Sequence, residues 1–124
     1  MFGFGIHKVQ ASTMATGAST SGSFDIRNAN AIGIEIPAFG TVMGSATVNV
    51  YVAVAASAGT FVRLKAMGTY SSTSGIQDWE IPQGSGGYIA NCPVAVGFTQ
   101  MQIQFPTTVT GTGGPFTPRV HVMQ

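Results

Sequence analysis

The chain has 124 residues and a mass of 12.8 kDa, the size of a single domain with enough surface to bury one hydrophobic core. Five basic and four acidic residues make only 7% of it charged, against about 25% in an ordinary soluble domain. A hydrophobic content of 44% excludes disorder, and a net charge of +1 with scattered cations excludes a polyanion such as nucleic acid as partner.

At the start of the chain Phe2, Phe4 and Ile6 alternate with Gly3, Gly5 and His7, ahead of the first lysine. That is the reverse of the basic-then-apolar order of a secretion signal. Residues 10–22 are almost entirely Ala, Ser, Thr and Gly, with Met14 the only large side chain and no helical or strand period. Residues 1–21 therefore read as an N-terminal extended arm, and residues 22–124 as the folded domain. Apolar side chains ahead of such a tract need a home, so Phe2, Phe4 and Ile6 are expected to bury against a neighbouring protein. The alternative is that they begin the first strand of the same domain.

Beyond the arm the period is 2. In residues 46–54, Val48, Val50, Val52 and Val54 share one face, and Thr47, Asn49, Tyr51 and Ala53 the other. Met101, Ile103 and Phe105 alternate likewise with Gln100, Gln102 and Gln104. These two strands predict a core of Val48, Val50, Val52, Val54, Met101, Ile103 and Phe105. The three glutamines face away from it, as an uncharged polar surface suited to a protein interface. Shorter strands are predicted at 23–27, 31–36, 60–65, 77–81, 87–91 and 117–123, separated by turn-forming Gly, Asn, Ser and Pro clusters. No 11-residue window sustains a helical period. The pattern predicts an all-β fold: a single antiparallel β-sandwich, jelly-roll-like, of about eight strands. Residues 36–62 carry no charge, but Pro37, Gly40, Gly44, Ser45, Asn49 and Gly59 break them below the length of a membrane-spanning helix.

Few residues offer chemistry. Cys92 is the single cysteine, which excludes an internal disulfide and a cysteine metal cluster, and it reads as a small buried side chain. His121, between two valines, is expected on the outer face of the last strand beside Arg119 and Met123. Asp78 and Glu80 flank Trp79 and share a strand face; this reads as a solvated surface rather than a glycosidase pair or a cation site. The glycine-rich stretches 84–87 and 111–115 lack the Lys-Ser/Thr of a phosphate loop and read as turns. Arg63, Lys65 and Phe61 share a face too short for a single-stranded nucleic-acid groove. Tyr51, Tyr70 and Tyr88 could instead line a sugar platform, which keeps a carbohydrate-binding or tail/fibre module as the alternative.

Residues 23–38, Ser-Phe-Asp-Ile-Arg-Asn-Ala-Asn-Ala-Ile-Gly-Ile-Glu-Ile-Pro-Ala, carry a likeness to a known group. With the valine strand, Thr-Phe-Val-Arg-Leu from Thr60, Gly-Tyr-Ile from Gly87 and Arg-Val-His-Val from Arg119, the chain resembles small β-sandwich virion proteins of tailed bacteriophages. Low charge and small size are most similar to the capsid decoration, or cement, proteins. Residues 55–59, Ala-Ala-Ser-Ala-Gly, depart from the aspartate-glycine turn usual at that place. The resemblance implies a structural protein on the outside of a phage head that clamps neighbouring subunits of the major capsid protein. It implies a homotrimer in the virion, with no enzyme activity, cofactor, metal, nucleic acid or membrane.

Overall fold

The computed structural model describes residues 6–39, 49–57, 59–71, 75–81, 87–110 and 115–124, and the side chains of all of these but 66–71 and 75–77. The strands are β1 (His7–Ala11), β2 (Phe24–Asp25), β3 (Ala31–Ile36), β4 (Val50–Ser57), β5 (Thr60–Arg63), β6 (Lys65–Ser71), β7 (Gly75–Asp78), β8 (Glu80–Ile81), β9 (Tyr88–Asn91), β10 (Gln100–Gln104) and β11 (Arg119–Met123). One 3-10 turn, Pro93–Ala95, joins β9 towards β10. No described helix is long and apolar enough to cross a membrane.

Two antiparallel sheets pack face to face. The first runs β1-β11-β3-β9, and the second β2-β10-β4-β5, with β8 also on β4. Strands β5 and β8 lie along one edge of β4: Ala53 faces Arg63, the Leu64 N–H bonds the Val52 carbonyl, and Tyr51 faces Glu80. They act as one interrupted strand, from which the β6–β7 hairpin is extruded. Numbered so, the strands order 1-8-3-6 and 2-7-4-5, and the chain crosses between sheets at every link but the β4–β5 hairpin. This is the jelly roll that the strand spacing predicted. Gly59, at φ +77, supplies the left-handed residue of that hairpin turn.

Burial follows the predicted period. Val50, Val52, Val54, Met101, Ile103 and Phe105 are buried, while Val48 lies outside the described residues. Ile32, Ile34 and Ile36 of β3 and Val120 and Val122 of β11 supply the facing layer. Phe39, Phe105 and Phe116 close one end, with ring centroids 5.6 to 6.3 Å apart in edge and tilted contacts.

Two readings are corrected. The arm assigned to residues 1–21 is, from His7 on, part of the domain. β1 pairs with β11 along its length, Met14 is 3% exposed in the core, and Ser21 is buried with its Oγ accepting the Ile103 N–H. A short Ser/Thr/Ala tract lacks periodic apolar residues yet supplies backbone groups, and backbone pairing is what a sheet edge needs. Phe2 and Phe4 lie outside the described residues. The predicted strand 77–81 is in turn divided at Trp79, whose N–H bonds the Leu64 carbonyl as the chain passes from β7 to β8.

Candidate interaction surface

Strand pairing places side chains in rows on the outer face of the first sheet, the face opposite Ile32, Ile34, Val120 and Val122. One row is Ala11, Arg119, Glu35 and Ile89; the next is Val9, His121, Gly33 and Asn91. Val9 is 51% exposed, Ile89 63% and Met123 42%, so this face shows solvent several large apolar side chains. Ile6, just before β1, is exposed as well.

Polar groups cross the same face in a chain. His7 stacks on His121 with Nε2 of His7 3.1 Å from Nδ1 of His121. His121 Nε2 lies 3.0 Å from Glu35 Oε1, and Arg119 Nη1 donates to Glu35 Oε2 at 3.1 Å. The His121 hydrogen bond, followed by that from Arg119, holds the Glu35 carboxyl below its usual range against a partial desolvation. Gly33 places no side chain beside His121, and a Cβ there would meet Ile89 Cγ2 at 3.4 Å. His121 lies on the predicted face, but its partners are 86 and 114 residues away in sequence, and no local signal foretells them.

The outer face of the second sheet is internally bonded. Gln102 Nε2 donates to the Ser21 carbonyl, Gln104 Nε2 donates to Gln102 Oε1, and Arg63 Nε donates to Gln104 Oε1 at 2.7 Å. Arg63 lies 4.2 Å over the Tyr51 ring and pairs with Asp78, as Lys65 does. Lys65, then Arg63, hold the Asp78 carboxyl below its usual range. Gln102 and Gln104 thus face outward, as their alternation predicts, with amide groups partly occupied within the chain. Gln100 is exposed.

The remaining candidates are kept apart by the fold. Asp78 secures the neck of the extruded hairpin, whereas Glu80 accepts from Asn49 Nδ2 at 2.9 Å, so the two acids serve different partners. Cys92 is wholly buried, with burial pushing its thiol up to about 11, and the first sheet separates it from outward-facing His121. The three-tyrosine platform is not assembled: Tyr51 faces out from the second sheet, Tyr88 packs against the core, and the Tyr70 side chain lies outside the described residues. Most of the two glycine-rich turns lies outside them too. No group of three or more His, Cys, Asp or Glu side chains among the described residues is placed to hold a metal ion. An open groove of about 530 Å³ runs between the β1 and β2 edges, lined by Lys8, Gln10, Asp25, Arg27, Asn28 and Gln124. It adjoins a second one lined by Arg27, Asn28, Val96 and Phe98, the last 39% exposed.

The architecture is that of a single jelly-roll β-sandwich whose outward sheet faces carry exposed apolar side chains beside a few charged groups paired within the chain. Comparison of the chain with protein-family models, with curated proteins and with solved structures gave no match.

Proposed function

We propose that the chain is a structural virion protein that binds the outside of a phage capsid and reinforces the shell. It clamps neighbouring subunits of the major capsid protein, acts as a homotrimer, and does no catalysis. The observation that carries this reading is the outer face of the first sheet, where Val9, Ile89 and Met123 stand exposed on a jelly roll. Apolar side chains cost little desolvation energy when another protein covers them, and the Glu35–Arg119 pair on the same face is already neutralised within the chain. The fold adds support, since jelly rolls recur in capsid proteins, an argument by analogy. The likeness of residues 22–124 to small β-sandwich virion proteins of tailed phages, with the low charge and small size of their decoration proteins, points the same way.

A carbohydrate-binding or tail/fibre module is the competing reading. It draws on the polar groove from Lys8 to Asn28, with exposed Phe98 beside it as a stacking surface. Immunogold labelling of purified particles with an antibody to this chain separates the two. Gold over the heads is expected. Labelling confined to tails or fibres, or absent from particles, overturns the capsid reading, and binding in a glycan screen would then favour the groove.

A further inference from the structure

His7, His121, Glu35 and Arg119 on the outer face of the first sheet form an ordered line of donors and acceptors. Glu35 is a carboxylate and only accepts, so the His121 Nε2 facing it at 3.0 Å carries a proton. In neutral His121 the other ring nitrogen, Nδ1, is then an acceptor. His7 Nε2, 3.1 Å from that Nδ1, is therefore the donor. The tautomers of both rings follow from the position of one carboxylate.

This order makes the two histidines unequal towards added protons. His7 Nδ1 has no partner among the described residues, so a first proton placed there leaves every bond in the line intact and gives the His7 donor a charge. A second proton can enter only at His121 Nδ1, the atom that accepts from His7. That proton abolishes the contact and sets two imidazolium rings with centroids 5.3 Å apart. The surroundings do not offset it. β3 contributes Glu35, the one carboxylate at these rings among the described residues, which His121 must share with Arg119 of β11, while Lys8 on β1 alternates to the other side of the strand. Strand β9 brings only Ile89 and Asn91 to this face.

We propose that His7, His121 and Glu35 form a proton-operated latch on edge strand β1, closed with none or one added proton and opened by the second. Among the described residues β1 has a sheet neighbour on one side only, β11, so the His7–His121 bond is one of few side-chain ties holding it. Opening loosens the strand into which the N-terminal residues lead and frees the β11 edge that it covers. Glu35, Asp25 and Asp78 all hold their charge more firmly than ordinary carboxylates, so the acceptor at the end of the line stays charged on mild acidification.

The test is amide hydrogen exchange on the full chain between about pH 8 and about pH 5, read as protection factors to remove the intrinsic pH dependence of exchange, with histidine side-chain nitrogen NMR in parallel. Protection of the β1 amides bonded to β11 should fall by about tenfold, the effect of one unit of difference in proton affinity between closed and open strand, while that of the β3 amides stays level. The fall should accompany the arrival of the second proton, when both rings carry protons on both nitrogens. In His7→Phe, β1 protection should be the same at both ends of the range. A wild-type β1 with pH-independent protection overturns the latch, as does an undiminished fall in His7→Phe. The NMR readout needs no variant: if His121 Nδ1 is already protonated at pH 8, the donor order is wrong and the proposal fails.

Discussion

The Gln10 side chain joins two sheets by imitating backbone: its Nε2 donates to the Asp25 carbonyl at 2.6 Å, and its Oε1 accepts the Asp25 N–H at 3.0 Å. Gln10 belongs to β1 of the first sheet and Asp25 to β2 of the second, so one carboxamide bridges neighbouring edges that would otherwise show unpaired peptide groups. Gln10→Ala should destabilise the domain by about 1–2 kcal/mol, and Gln10→Glu, which keeps the acceptor and loses the donor, by a similar amount or more. Urea unfolding of both variants checks this; an unchanged midpoint in Gln10→Ala would remove the bridge from the account of stability.

Ile103→Ala should cost about 2–5 kcal/mol, because Ile103 is fully buried between the sheets. Gln102→Ala, which loses the bond to the Ser21 carbonyl and the one accepted from Gln104, should cost about 1–2 kcal/mol. A reversed order in denaturant midpoints would mean that the register of β10 is shifted by one residue.

Truncation separates the integral part of the N-terminal segment from any anchoring part. Removing residues 1–20 takes away β1 and buried Met14, so the remainder should fail to fold cooperatively. Met14→Ala alone should cost about 2–5 kcal/mol. Removing residues 1–5 spares every described strand. If those residues anchor the protein to its neighbours, the shorter truncation will weaken assembly without unfolding, a difference visible by light scattering.

Acid stability should carry the signature of Asp25. The hydrogen bonds from the Arg27 side chain and backbone lower its carboxyl from 3.8 to about 2. A lowered folded-state value means that the stabilisation is complete above the unfolded value of 3.8 and is lost as pH falls through about 2. The urea midpoint of the wild type should drop across this window, and Asp25→Asn should show a smaller drop. Equal drops in the two proteins would assign acid sensitivity to Glu35 and Asp78, which shift in the same direction.

The proposed trimer predicts a light-scattering mass above 12.8 kDa that does not fall to that value on dilution through the working range. Ile89→Lys and Gln100→Lys each place a charge on one outward face at an exposed position, so each should change stability by no more than about 0.5 kcal/mol. Loss of assembly in Ile89→Lys alone would locate the contact on the first sheet, and loss in Gln100→Lys alone on the glutamine face. Assembly of wild type and both variants should respond weakly to salt, since five basic residues cannot release many counterions.

The sequence by itself determined the sandwich: alternation at Val50, Val52 and Val54 and at Met101, Ile103 and Phe105 marks the buried face, because a pleated strand sends alternate side chains to opposite sides whatever it pairs with. The turn at Asn28 and the bounds of β3 were legible for the same local reason. What the tertiary structure alone decided is which strands meet. β1 has no alternation to announce it; it becomes a strand because β11 offers an unpaired edge, a reason that lies more than a hundred residues along the chain. Trp79 breaks one predicted strand because its N–H answers Leu64 across the neck of a hairpin. His7, Glu35 and His121 are each unremarkable in their own segments, and only the pairing of β1 and β3 on either side of β11 brings them within hydrogen-bond reach, since cross-strand neighbours are set by register and not by sequence distance.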